Sequence, residues 1–254
     1  MNIETCREWI AIGKRSEALE WLLHQPDSPD VLVLKALCSE SDLAQHWKRA
    51  IDALSLYAPS KDLLLALGQG YAQARRDSHS QLQEHYLHRL IDIANGLDEH
   101  IQHIHWTSIL ANFYLRSGYV DKALPLLQRA VQLSLAHQHH LVTIAQGLIL
   151  TGIWFGKGEI QRVAALSLSI EDAAKTRQNW IAFATARNTR ASCLLIQRKQ
   201  QEAIQLLLET GDTLFEKGAV AALNIVKARL GELHLLLGAE HVRSIVNTLQ
   251  SQDL

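Results

Sequence analysis

The second half of the chain repeats its pattern of small, large and polar positions every 40 residues. Gly118, Gly158 and Gly238 mark the period, with Arg198 in the missing slot. Seven positions before each slot stand the small residues Ala111, Thr151, Ala191 and Gly231. Four before it stand Tyr114, Trp154, Leu194 and His234, and five after it Ala123, Val163, Ala203 and Arg243. Columns held in phase this way predict a helix, a turn and a second helix in every unit. The small residue lets two antiparallel helices approach, the large one fills the space beside that contact, and glycine closes the first helix in a left-handed cap. On the second helix Ala123 or Ala203 meets the first, with Leu127 or Leu207 one turn further along the same face. Ala111, Ala123, Ala191 and Ala203 are therefore expected to be buried.

The first hundred residues follow the same logic with looser spacing. Gly13 to Ala18 reads as a cap, a turn and a new helix start. Leu67-Gly68 with Tyr71 repeats the small-then-large pair, and Arg75-Arg76-Asp77-Ser78 replaces the glycine turn. Pro59 stops a helix ending near Tyr57. The pattern predicts seven helix pairs, with turns near residues 14, 41, 77, 118, 158, 198 and 238 and pair boundaries near 27, 58, 97, 138, 178 and 218. Residues 1–254 read as a single array, irregular over 1–97 and regular over 98–254. The last helix, Ala239 to about Ser251, carries Arg243 and Asn247 in columns that are apolar or small elsewhere, as expected of a cap that covers Leu235, Leu236 and Leu237.

Leu110-Ala111, Tyr114, Gly118-Tyr119, Ala123, Leu127 and Ala130 resemble a complete tetratricopeptide repeat. The stretch from Arg190-Ala191 through Glu202-Ala203 to Leu207 is similar to the longer variant, of roughly 40 residues, found in the sensor region of MalT-like bacterial regulators. The resemblance implies an all-α, right-handed α-solenoid of about seven antiparallel helix pairs whose first helices line a groove. It further implies a protein–protein interaction scaffold, an adaptor or assembly chaperone that holds a segment of another protein. The alternative is a MalT-like sensor solenoid that binds a small effector or peptide and signals to a separate output protein. Outward positions on first helices are the binding candidates: Ser108, Asn112 and Arg116, spaced four apart, and Arg187, Asn188, Lys227 and Arg229 further along. Tetratricopeptide domains often hold an extended peptide through an asparagine and a basic residue at the places of Asn112 and Arg116. The neighbouring repeats carry Gly152 and Gly156, then Ser192 and Ile196, so the full carboxylate-gripping set is absent.

Charge sharpens this picture locally. Residues 173 to 200 hold Lys175, Arg177, Arg187, Arg190, Arg198 and Lys199 with no acid among them. Arg187 and Lys227 lie one period apart and are expected side by side, with Arg229 close by, where clustered cations suit an acidic ligand. Arg190 replaces leucine in its column and is expected inside the stack, paired with Glu202 or Glu232. Over the whole chain 25 basic residues face 26 acidic ones, which gives no general pull towards nucleic acid or an anionic membrane. The most apolar window, Gly147 to Gly156, is too short to span a bilayer, and no secretory signal is expected at the start. Cys6, Cys38 and Cys193 read as packed, reduced thiols of a cytoplasmic protein. Histidines gather at His100, His103 and His105 and at His137, His139 and His140, in boundary loops where surface placement is the plain reading rather than a metal site. His85 and His88 with Glu84 read as a polar helix face. No phosphate loop, nucleophile elbow or Cys–His pair is present, so no catalytic residue, cofactor or metal is expected.

Overall fold

The computed structural model describes residues 2–39 and 43–252, and the turn expected near residue 41 lies outside them. The chain is all-α, 83% helical, with no strand among the described residues. It divides into two compact units, residues 1–123 and 124–254. The first holds α1 (Ile3–Ala11), α2 (Arg15–Leu23), α3 (Pro29–Cys38), α4 (Leu43–Leu54), α5 (Lys61–Arg76), α6 (Ser80–Gly96) and α7 (His100–Arg116). The division falls inside α8 (Val120–Ala136). The second unit continues with α9 (His140–Gly156), α10 (Ile160–Thr176), α11 (Trp180–Ile196), α12 (Gln200–Glu216), α13 (Val220–Leu237) and α14 (Ala239–Gln252). Within each unit, successive helices pack on one another in chain order.

Local chemistry sets where these helices begin. Ser28 and Ser60 cap α3 and α5, their hydroxyls accepting the backbone N–H of Val31 at 3.4 Å and of Leu63 at 3.1 Å. Pro29 follows directly at the first helical position, where its missing N–H costs nothing. From α6 to α12 every helix has 17 residues and starts 20 after the previous one. The sequence has glycine at only three of the eight turns from residue 78 to residue 218, but the structure uses one geometry at all eight. Ser78, Asp98, Gly118, Gln138, Gly158, Gln178, Arg198 and Gly218 all take a left-handed conformation, with φ between 53° and 80°. At each, two backbone bonds close the helix end. Tyr119 N–H donates to Tyr114 O at 2.9 Å and Gly118 N–H to Leu115 O at 3.0 Å, and Lys199 and Arg198 repeat the pair at the same distances.

Arg198 stands in a slot that the sequence otherwise fills with glycine, and its backbone is strained there at φ 64°. The left-handed penalty for a side-chain-bearing residue is about 1–2 kcal/mol, and glycine's extra freedom in the unfolded chain returns about 0.5–1 kcal/mol of it. Arg198→Gly is expected to raise stability by the difference, up to about 1.5 kcal/mol, as a higher denaturant midpoint with unchanged slope. A lower midpoint would mean that the arginine side chain contributes more than its backbone loses.

Ala111, Ala123, Ala191 and Ala203 are completely buried, as are Leu127 and Leu207, so the small and large columns sit where the 40-residue pattern puts them. One approach is closer still: a Cβ at Gly147 on α9 would stand 2.9 Å from Ile170 Cγ1 on α10, which leaves room for glycine alone. The C-terminal end departs from expectation. α13 runs one residue further than its predecessors, and Leu235 and Leu236 are 88% and 74% exposed with α14 in place. α14 covers the core through Val242, Ile245 and Val246 instead, so the expected burial of that leucine pair is corrected.

Candidate binding surfaces

In the first unit, α5 and α7 flank two depressions that follow one another along the helices. Lys61 Nζ lies 2.6 Å from Glu99 Oε1 at one end, Gly68 faces the Trp106 ring midway, and the Tyr71 and Trp106 ring centroids are 5.9 Å apart. These contacts advance together along both helices, so α5 and α7 run parallel. Past the Tyr71–Trp106 contact lies the second depression, of about 400 Å³, between Tyr71, Arg75, Asn112 and Arg116. Arg75 and Arg116 are exposed. Neither guanidinium has an ion pair among the described residues, and the Asn112 amide makes no hydrogen bond there. Two unpaired guanidiniums, an amide and a phenol around one depression suit a carboxylate or another small anion, because planar donor forks match its oxygens.

Asn112 and Arg116 thus stand together, as the sequence suggested. Ser108 does not join them. It is buried, and its hydroxyl donates to Ile104 O at 2.8 Å, one turn back, so its expected outward position is corrected. Arg75 and Tyr71 were not anticipated as site residues. Their signal lay in Arg75-Arg76, two basic residues at the end of a first helix, which read only as turn residues.

The second unit treats its cations differently. Glu171 on α10 is 4% exposed and sits among three of them. Its Oε1 accepts from Lys175 Nζ at 3.0 Å and Arg187 Nε at 3.0 Å, and its Oε2 from Arg190 Nη1 at 2.6 Å. Burial alone would raise the carboxyl, but the hydrogen bonds from Arg187, Lys175 and Arg190 and the Arg187 charge outweigh it and hold the carboxyl below its usual range. Arg187 also stacks on Phe183, 5.2 Å from the ring centroid, while Lys175 approaches the same ring at 5.3 Å. The expectation that Arg187 is an open groove residue is corrected, since its side chain is only 15% exposed and its charge is spent on Glu171. Arg190 is inside as expected, but its partner is Glu171 rather than Glu202 or Glu232. Lys227 is exposed, so it and Arg187 do not form one surface pair.

Asn188 and Arg229 flank a cleft of about 480 Å³ between α11 and α13. Arg229 is committed, with Nη1 on Glu232 Oε2 at 2.6 Å and Nη2 on Ser192 Oγ at 2.8 Å. The hydroxyls of Thr185, Thr189 and Ser192 donate to Ile181 O, Thr185 O and Asn188 O, one turn back. Their remaining capacity is to accept. Arg229 is thus paired with Glu232 and held by Ser192, while its Nε and the Asn188 Oδ1 are buried without hydrogen-bond partners. Among the described residues no group of three His, Cys, Asp or Glu side chains could hold a metal, and no helix is long and apolar enough to cross a membrane.

No protein-family model matches the chain, and none of the curated proteins matches it significantly. Among solved structures, aspartyl phosphate phosphatase F from Bacillus subtilis is similar over 95% of this chain and 67% of its own, at 9% identity and a TM-score of 0.51. A Podosopora anserina putative kinesin light chain with nearly identical TPR-like repeats aligns over 85% of this chain and 94% of its own, at 18% identity and a TM-score of 0.47. A Rap protein complexed with competence and sporulation factor aligns over 95% of this chain and 74% of its own, at 12% identity and a TM-score of 0.45. The fold is an α-helical repeat of antiparallel helix pairs, of the kind seen in aspartyl phosphate phosphatase F.

Proposed function

We propose that the protein is an interaction scaffold whose α5–α7 cleft holds an acidic segment of another protein. One observation carries this reading: Arg75 and Arg116 stand unpaired around Asn112 and Tyr71 in a cleft between parallel first helices. Charged side chains kept free of internal partners, on a fold that exposes long helix faces, are suited to an external partner of opposite charge. An adaptor or assembly chaperone fits this arrangement better than an enzyme.

The test is selection from a random 12-residue peptide library on the whole chain, followed by calorimetry on the winners. Peptides rich in Asp and Glu are expected. Their affinity is expected to fall at least about tenfold in an Arg75→Glu, Arg116→Glu variant, as loss of two charge-assisted contacts implies. It should also weaken with salt, since exposed charges are screened within about 10 Å at 0.1 M. Neutral or basic winners, or full affinity in the folded double variant, would overturn the reading.

A further inference from the structure

The repeat offers an internal comparison, because residues one period apart occupy matching places. Tyr114 and Trp154 share a column, and so do Lys122 and Arg162, eight positions on. In each unit the cation lies over the aromatic ring: Lys122 Nζ is 5.1 Å from the Tyr114 centroid, and Arg162 Cζ is 5.7 Å from that of Trp154. What faces the polar edge of the ring differs. In the first unit the Tyr114 hydroxyl donates to Glu84 Oε1 at 2.5 Å and lies 3.2 Å from His88 Nε2. Lys122 completes this arrangement 3.9 Å from the same carboxylate. Aromatic edge, carboxylate and cation close on one another.

In the second unit the places of Glu84 and His88 belong to Leu124 and Gln128. Among the described residues no carboxylate meets the Trp154 edge, and its indole N–H is buried with no hydrogen-bond partner. Beside it lies a cleft of about 440 Å³ between α8, α9 and α10, within the size range of small-molecule sites. Leu150, Val131 and Leu166 form a buried apolar floor and wall, Leu135 is half-exposed at the mouth, and Gln128 and Gln132 supply amides. Arg162 is 61% exposed and held by Glu159 at 2.6 Å, so its side chain can rotate off the indole at the protein surface.

We infer that this cleft binds a small amphiphilic carboxylic acid. The ligand carboxylate takes the place that Glu84 fills in the preceding repeat, accepting from the Trp154 N–H and the Arg162 guanidinium, and the apolar body lies on Leu150, Val131 and Leu166. An orphaned donor in a low-dielectric wall gains most from a charged acceptor, and the apolar floor gains from covering. The site is separate from the α5–α7 cleft and does not depend on what that cleft holds.

The probe is sodium octanoate, with octanol as the uncharged control, titrated into the ¹⁵N-labelled whole chain. The Trp154 indole N–H resonance is assigned by its loss in Trp154→Phe. That resonance is expected to shift and saturate with octanoate, and octanol should bind at least about tenfold more weakly for want of the charge-assisted bonds. Arg162→Gln, a change at an exposed position, should weaken octanoate at least about fivefold. A Leu124→Glu, Trp154→Tyr variant rebuilds the closed arrangement of the preceding repeat and should lose the binding while keeping its helical circular dichroism. A local resonance that stays still or drifts without saturating would overturn the inference, as would octanol binding as well as octanoate. Octanoate affinity unchanged by Arg162→Gln would do the same, even if the rebuilt variant does not fold.

Discussion

Glu171→Ala is expected to cost about 3–5 kcal/mol of stability, the usual result of removing one partner from a buried ion cluster. Arg187 and Arg190, 15% and 25% exposed, would lose the carboxylate that both share with the exposed Lys175, so an excess of positive charge already present would stand with no anion at its centre. Chemical denaturation of single variants and of Glu171→Leu, Arg187→Met, Arg190→Met together checks this. The triple change should recover most of the loss, because an apolar replacement of similar volume needs no desolvation of charge. If Glu171→Ala unfolds at the wild-type midpoint, the cluster is solvated and its geometry contributes nothing.

The same carboxylate makes stability depend on pH. Its folded-state pKa lies below the unfolded one, so the unfolded chain binds the proton more readily. The contribution is fully present above the unfolded carboxyl pKa of about 4.3 and fades as pH falls through the folded value. Wild type should therefore lose stability in that acid window more steeply than the triple apolar variant. Parallel acid profiles would remove Glu171 from the explanation.

Phe183→Ala is the second large effect, expected at about 3–5 kcal/mol. Phe183 is among the largest side chains that are completely buried, and its ring is the surface on which Lys175 and Arg187 lie. Truncation opens a cavity and removes both cation contacts at once. A Phe183→Leu variant keeps much of the apolar volume and loses the ring, so the difference between the two melting curves separates packing from cation attraction. Equal losses would assign the whole effect to the missing ring.

The fold was legible because its rules are local. Small residues at Ala111 and Ala191, large ones at Tyr114 and Trp154, and glycine at 118 and 158 each act within one helix pair. The 20-residue step was hidden because Asp98, Gln138 and Gln178 adopt the same left-handed turn without being glycine. Arg187 was misread for a different reason. Whether a cation is free depends on what lies opposite it, and its partner Glu171 is 16 residues away on another helix. A signal existed: Glu171 occupies a column that reads Ile91, Val131 and Gly211 elsewhere, and an acid in an apolar column needs a buried partner. Asn112 and Arg116 were legible as candidates because a resemblance named their places, whereas Arg75 lies where a turn was already sufficient explanation.

The uniform turn has a consequence for how such a chain changes length. Each helix of the regular stretch ends with its own backbone bonds and needs no side chain from a neighbour to do so. A duplication or loss of two steps therefore joins one finished helix end to one ordinary helix start, wherever the cut falls. Chain growth becomes a matter of whether new apolar faces match, since termination is already solved at every joint.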